Sequence, residues 1–328
     1  MKTKEPLKAP FPYFGGKSRS ASLVWSALGD VRNYIEPFAG SLAVLLNRPT
    51  PFSGAETIND LDCHVVNAWR AIAKHPERLS EMLIAPVSEV ETESQHNAIV
   101  RGAIVLRESL GNPEWCDVTH AAWWIKGANE WIGTGWASGE GPWRWTADGG
   151  WDRNAGKGIN RKLPHLGNAG TGINRQLPHL GDAGKGAFSD RLAFVQGWLS
   201  ALRDRLCSVR MACGGWERVM GESVAVKHGL TGVFLDPPYD GTEYVYGCDK
   251  PVSETVRAWC LENGTDTRLR IVLAGRGSEH DALMDDGWRK ETWSALKGYA
   301  NHEERRYEAL WISPNCVASS GIKQQQLL

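Results

Sequence analysis

Apolar positions along this chain switch between two spacings, and the switches outline its architecture. Residues 33–38, NYIEPF, form a short extended run that ends at a small-residue turn. SLAVLLNR then has helical spacing, ETIND is a second extended run, and LDCHVVNAWRAIAKH places Val65, Val66, Trp69 and Ile72 on one helical face. Strand, helix, strand, helix in that order predicts a parallel, doubly wound sheet. The same grammar returns with FSDRLAFVQGWLSALRDRL, an amphipathic helix carrying Phe188, Leu192, Val195, Leu199, Leu202 and Leu206. VRMAC, GVFLD and RIVLA are short apolar runs, the form taken by strands buried on both faces. WRKETWSA and RRYEALWIS predict a closing antiparallel pair around a polar loop. The fold class is therefore α/β with a doubly wound, Rossmann-like sheet.

The segment between these halves follows neither period cleanly. Residues 76–150 are partly helical, Glu-rich and then rich in Trp and Gly, with eight Trp from Trp115 to Trp151. GKGINRKLPHLGNA is followed at once by GTGINRQLPHLGDA, a tandem repeat of period 14. Two copies are too few for a solenoid, which needs about three or more. The layout is a split domain, residues 1–75 and 190–318, carrying an inserted region at 76–189. The end of the chain, residues 319–328, reads as a disordered tail.

Composition narrows the class without naming it. No apolar run reaches signal-peptide or membrane-span length, which predicts a cytoplasmic protein with no membrane partner. Seven scattered Cys without any CxxC argue against a disulfide framework and a zinc cluster. A net charge of −1 excludes a generally basic nucleic-acid binder, yet from Arg153 to Gly186 six Lys or Arg face one acid, Asp182. A basic surface on a neutral chain suits a partner engaged through one face.

The sharpest chemical signal is GVFLDPPYDG. An apolar strand delivers Asp236 to the carboxyl edge of the sheet, where open α/β folds bind ligands. Pro237 and Pro238 stiffen the turn that follows, so the carbonyl of Pro237 has a fixed direction. An exocyclic aromatic amine is a poor nucleophile because its lone pair is delocalised into the ring. The Asp236 carboxylate and the Pro237 carbonyl are two acceptors for its two N–H donors, and Tyr239 is placed to stack on the ring. A strand-ending turn with a capping Asp is the plain structural alternative.

DPPY is the signature of amino-methyltransferases, and the chain resembles the D12-class (Dam-like, α-group) N6-adenine-specific DNA methyltransferases over about residues 10–75 and 205–315. PFPYFGGKSR is the first matching block. Its GGKS is not a phosphate-binding loop of the Walker type, since Phe11 stands where that motif has its first Gly. The resemblance assigns Tyr13, Gly16 and Lys17 to the cofactor pocket, the lysine neutralising a carboxylate or reaching DNA. YIEPFAGSLAV resembles the methionine-binding loop and carries over Glu36, Pro37, Phe38, Gly40 and Ser41, with Leu42 in place of the usual second glycine. In TINDLD, Asp60 matches the ribose-binding acid; its plain alternative is capping the next helix, with Asp62 as fallback. VRMACGGWERVM resembles a segment in which an acid binds the cofactor's adenine, but here that position is Gly215, with Glu217 the nearest acid. NHEERRYEALWISPN resembles the last motif, a polar loop that helps hold the extruded base.

The resemblance implies S-adenosyl-L-methionine as cofactor and a specific site in double-stranded DNA as partner. Adenine N6 is paired inside a duplex, so the base must be flipped out, at a cost of roughly a few kcal/mol. The inserted region supplies phosphate and base-edge contacts from Lys157, Asn160, Arg161, Lys162, Asn174, Arg175, Gln176 and Lys185 among its glycines; a solvated loop is the alternative. His165 and His179 recur through the repeat itself, and no metal is called for because a sulfonium is already a good leaving group. Methylation of cytosine N4, RNA adenine or a glutamine amide is the rival chemistry, and Asp rather than Ser or Asn before PPY favours adenine. A non-catalytic DNA-specificity module is the rival from another class. Recognition site, monomer or homodimer state, and pairing with a restriction enzyme are not encoded in any motif.

Overall fold

The five apolar runs become the parallel part of a single seven-stranded sheet. The computed structural model describes residues 7–13, 17–86, 88–130, 136, 144–145, 151–152, 188–238, 252–294 and 307–318. Its strands are β1 (Asn33–Glu36), β2 (Ala55–Asp60), β3 (Arg144–Trp145), β4 (Trp151–Asp152), β5 (Val209–Cys213), β6 (Thr231–Leu235), β7 (Leu269–Arg276), β8 (Arg289–Ser294) and β9 (Tyr307–Ile312). β3 and β4 pair only with each other. The remaining seven run in the order β5-β2-β1-β6-β7-β9-β8, parallel from β5 to β7, with β9 antiparallel to β7 and β8 antiparallel to β9. The doubly wound α/β sheet and the closing antiparallel pair are both as the pattern predicts.

The strand order fixes where a ligand site belongs. From β1 the chain builds outward through β2 to β5, then returns to the other side of β1 and builds through β6 to β7. The reversal lies between β1 and β6, which pair with Ile35 opposite Val233. Open sheets bind ligands outside the carboxyl ends of strands at such a switch point. Residues 36–41 follow β1 there and residues 236–238 follow β6.

By internal packing the chain divides into two compact units, Met1–Gly16 with Asp62–Cys207 and Lys17–Leu61 with Ser208–Leu328. The second holds the sheet. Every residue of β1 and β6 is buried, as parallel strands covered on both faces must be. On one face Ile35, Val233, Leu235, Ile271, Leu273 and Trp311 pack with Trp216, Val256, Cys260, Leu283 and Trp288. The alternate residues Tyr34 and Glu36 face the other way, where α1 (Ala21–Leu28) and α2 (Ala43–Leu46) contribute Trp25, whose ring meets Tyr34 and whose indole N–H donates to the Val44 carbonyl.

The first unit is helical, apart from the β3–β4 pair: α3 (Cys63–Lys74), α4 (Pro76–Leu83), α5 (Glu89–Ser109), α6 (Val118–Glu130) and α7 (Phe188–Leu206). Val65, Val66, Trp69 and Ile72 of α3 are buried as their spacing requires, and so are Val195, Leu199, Leu202 and Leu206 of α7. Phe11 packs edge-on against Trp124 and tilted against Trp69, so at least one of the clustered tryptophans serves a core. Asp62, rather than Asp60, caps α3 by accepting the His64 N–H at 2.8 Å.

Candidate active site

Asp236 leaves the end of β6 with its carboxylate paired to a lysine from far upstream. Lys17 Nζ lies 2.9 Å from Asp236 Oδ1; the lysine side chain is 3% exposed and the aspartate 20%. Lys17 is held at the entry to α1, where its carbonyl accepts the backbone N–H groups of Ser20 and Ala21 and the Ser20 hydroxyl. One carboxylate oxygen is thus occupied by an ammonium, which sets the plane of the group and turns Oδ2 toward any other donor. Pro237 is buried and Pro238 half-buried behind it. Tyr239 lies outside the described residues.

Beside this pair the chain after β1 makes a close turn. Glu36 is 2% exposed, and its Oε2 accepts the Tyr34 hydroxyl at 3.0 Å and the Leu45 N–H at 3.2 Å. Burial pushes its carboxyl up to about 8 against the pull of those two donors, and the negative Asp236 and Glu56 nearby push it further the same way. Glu36 is therefore mostly protonated at neutral pH. Gly40 takes φ 45, and Leu42 takes φ 53 and ψ 29. The glycine-to-leucine departure at 42 thus leaves the left-handed turn intact. It costs a β-carbon residue about 1–2 kcal/mol, and a fully buried side chain holds it in place.

The carboxyl ends of β1, β2 and β5 are stitched together by two residues of β2. Asp60 Oδ2 accepts the Gly40 N–H at 2.9 Å, and the Asp60 carbonyl accepts the Gly214 N–H at 3.0 Å. Asn59 donates both side-chain amide hydrogens across the sheet, to the Pro37 carbonyl at 3.1 Å and the Gly214 carbonyl at 2.9 Å, while its backbone carbonyl accepts the Ala39 N–H. Phe38 is half-buried, its ring 6.4 Å from that of Trp216 and within 27° of parallel. The arrangement offers a small-residue turn, carboxylates at two strand ends and aromatic faces along one edge. Those acceptors and surfaces fit an extended, positively charged amino-acid nucleoside.

Lys17, Glu36, Pro37, Phe38, Gly40, Ser41, Asp60, Asp236, Pro237 and Pro238 all belong to the sheet unit. Tyr13, 38% exposed, belongs to the helical one. Gly16 lies outside the described residues, as do Lys157, Asn160, Arg161, Lys162, Asn174, Arg175, Gln176 and Lys185. Sequence reasoning missed Asn59. The usable signal was an amide in a short parallel strand, which must find partners once buried.

One further cluster lies in the helical unit. His64 Nδ1 and His120 Nε2 are 2.8 Å apart with rings within 8° of parallel, and Asp62, Cys63 and His64 bring one ligand atom each within 4.8 Å of one another. Asp62 is engaged as a helix cap and Cys63 Sγ meets the Ala103 carbonyl. Burial lowers the pKa of both histidines, that of His120 to about 4.

Comparison with known families adds one finding. Residues 13–97 match the D12 class N6 adenine-specific DNA methyltransferases. The match takes in Lys17, the turn after β1 and Asp60; Asp236 lies beyond it. That family implies the enzymatic class, an adenine-specific DNA methyltransferase, with DNA as the substrate class and a methyl-donor cofactor. No curated protein matches the chain.

Proposed function

We propose that this adenine-specific DNA methyltransferase moves a methyl group from S-adenosyl-L-methionine to N6 of an adenine flipped out of double-stranded DNA at a specific sequence. The observation that carries the reading is the Lys17–Asp236 pair at the switch point, alongside the turn after β1. The cofactor supplies an electrophilic methyl group on a sulfonium. Every other task falls to side chains and backbone.

Asp236 Oδ2 and the Pro237 carbonyl accept the two N6 hydrogens of the flipped base. That bonding draws the nitrogen lone pair out of conjugation and aims it in line with the methyl carbon. Lys17 keeps the carboxylate from rotating away. Once N6 carries the methyl group as a fourth substituent, the same carboxylate is in reach of the proton that must leave. The turn at residues 36–41 and Asp60 are the residues that would hold the amino-acid end and the ribose. The Gly-rich, Lys- and Arg-bearing segment at 153–186 is the proposed DNA-reading element, on the strength of its charge and composition.

Transfer of a tritiated methyl group to duplex DNA tests the assignment. Asp236→Ala is expected to abolish incorporation while the circular dichroism spectrum stays that of the parent. Incorporation at the parent rate would remove Asp236 from the chemistry. Sequencing the modified positions then identifies both the base and its context; label on cytosine or on RNA alone would replace the reading with a rival one.

A further inference from the structure

Two glycines follow β5, and they differ in backbone conformation. Gly214 has φ 147, a conformation that side-chain-bearing residues rarely adopt. Gly215 has φ −52 and ψ 146, which any residue adopts, so its backbone makes no demand for glycine. A Cβ at 215 would stand 2.9 Å from Oε2 of Glu217, the far end of an exposed, flexible side chain that folds back over the short turn at Trp216–Val219. The Glu217 carboxylate therefore stands against the volume that a side chain at 215 would enter. The loop beneath it is pinned by Asn59 and the Asp60 carbonyl on one side, and by Arg218 Nη1 on the Cys213 carbonyl on the other.

We infer that Glu217, reaching over Gly215, supplies the acceptor for the exocyclic amine of the cofactor's adenine. The inference rests on the reading of the cofactor as S-adenosyl-L-methionine. With the amino-acid end at the turn after β1 and the ribose at Asp60 on β2, the base comes to the next strand out, which is β5. Adjacent strands are about 4.8 Å apart, so the three strand ends span roughly 10 Å, the reach of an extended amino-acid nucleoside. Phe38, half-buried with its ring stacked against the core residue Trp216, lies at this same end, where an aromatic ring suits the face of a purine. A carboxylate there accepts from an amine, and it leaves two acceptors opposed when the purine carries a carbonyl instead.

Calorimetric titration of the full chain tests this without relying on turnover. The titrants are S-adenosyl-L-methionine and its analogue in which the purine amine is replaced by a carbonyl. The parent is expected to bind the amine form at least tenfold more tightly. Glu217→Ala is expected to weaken amine-form binding roughly 10- to 100-fold, as loss of a charge-assisted hydrogen bond does, and to erase the discrimination. Gly215→Ala, which pushes the carboxylate aside without removing it, should fall between the two. Adding Gly215→Asp to Glu217→Ala should return both affinity and discrimination, because an Asp side chain at 215 enters the vacated volume. Parent-like affinity and discrimination in Glu217→Ala would overturn the inference, as would a double variant no better than the single one. Absence of binding by the parent itself would overturn the cofactor reading instead.

Discussion

Asn59 is 1% exposed and spends both amide hydrogens on the carbonyls of Pro37 and Gly214. Asn59→Ala strands two acceptors, and a buried acceptor without a donor costs about 1–3 kcal/mol. The pair therefore loses about 2–6 kcal/mol. For a unit of this size each kcal/mol moves the midpoint by about 2–4 °C, so thermal unfolding of the sheet unit should fall by roughly 4–24 °C. Asn59→Asp is the sharper probe because it keeps the shape. It replaces these two donors with an acceptor facing two carbonyl oxygens, so it should destabilise more than Ala at neutral pH. It should also recover in part on acidification, when a protonated carboxyl can donate once. Melting curves of the three proteins by circular dichroism between pH 5 and 8 measure this. Asp at or above Ala in midpoint at pH 8 would refute the claim that a donor pair clamps these loops. Both variants should also bind cofactor more weakly, since the residues that would hold its amino-acid end and base lose their common tie.

Three other outcomes follow from the same geometry. Lys17→Met removes the partner of Asp236; breaking a fully buried pair costs about 3–5 kcal/mol, and the 20% exposure of Asp236 reduces this to about 2–3 in unfolding free energy, read from urea midpoints, while kcat in single-turnover assays should fall because the carboxylate loses the partner that orients it. Lys17→Arg should recover most of that loss, and a Met variant with parent kcat would remove the lysine's role. Glu36, raised to about 8, is protonated in the free protein at pH 7, and a cationic ligand group beside it favours the ionised form. Cofactor binding at pH 7 should then release a proton, with affinity rising up to about tenfold per pH unit until pH 8 and levelling off above. Titrations in buffers of different ionisation enthalpy read the proton directly; no release, or an unchanged release in Glu36→Gln, would contradict it. His120 has its pKa lowered to about 4, first by burial and then by His64, so the folded state prefers it neutral while the unfolded chain takes up the proton near 6.5. Its contribution is full above pH 6.5 and is lost as pH falls toward 4, by at most about 3 kcal/mol; urea midpoints of His120→Gln against the parent across that window should converge at the acid end.

Much of the sheet was legible because its strands are short and buried on both faces. Residues 231–235 and 269–274 are apolar runs too short for helices, and residues 188–206 show one helical face throughout. What the helical face of 188–206 could not reveal is its partner. Amphipathicity records that a surface is covered, not by what, and this helix belongs to the helical unit although it leads directly into β5. Position 42 shows the opposite case: the residue departs from the expected glycine, yet the backbone keeps the left-handed turn because surrounding packing secures it. The site's tightest ties join residues far apart in sequence, Lys17 to Asp236 and Asn59 to Gly214. No local spacing encodes such pairs. Glu217 was visible as the nearest acid to Gly215, but only the folded chain shows its carboxylate reaching back to within 2.9 Å of where a Cβ at 215 would stand.

The position of the helical unit in the chain also bears on how the sheet is assembled. β2 and β5 are hydrogen-bonded neighbours over five residue pairs, yet Asp62–Cys207 lies between them. A flexible chain of that length closes at about 2 kcal/mol more than a ten-residue crossover. Parallel pairing across such a separation is slow for the same reason. Folding of the inserted helices shortens the effective loop before β5 arrives, so the edge strand is expected to dock late. The ribose-side and base-side strands would then join only after the inserted unit is structured. Damage to α3–α7 would accordingly show itself first as a protein unable to bind its cofactor.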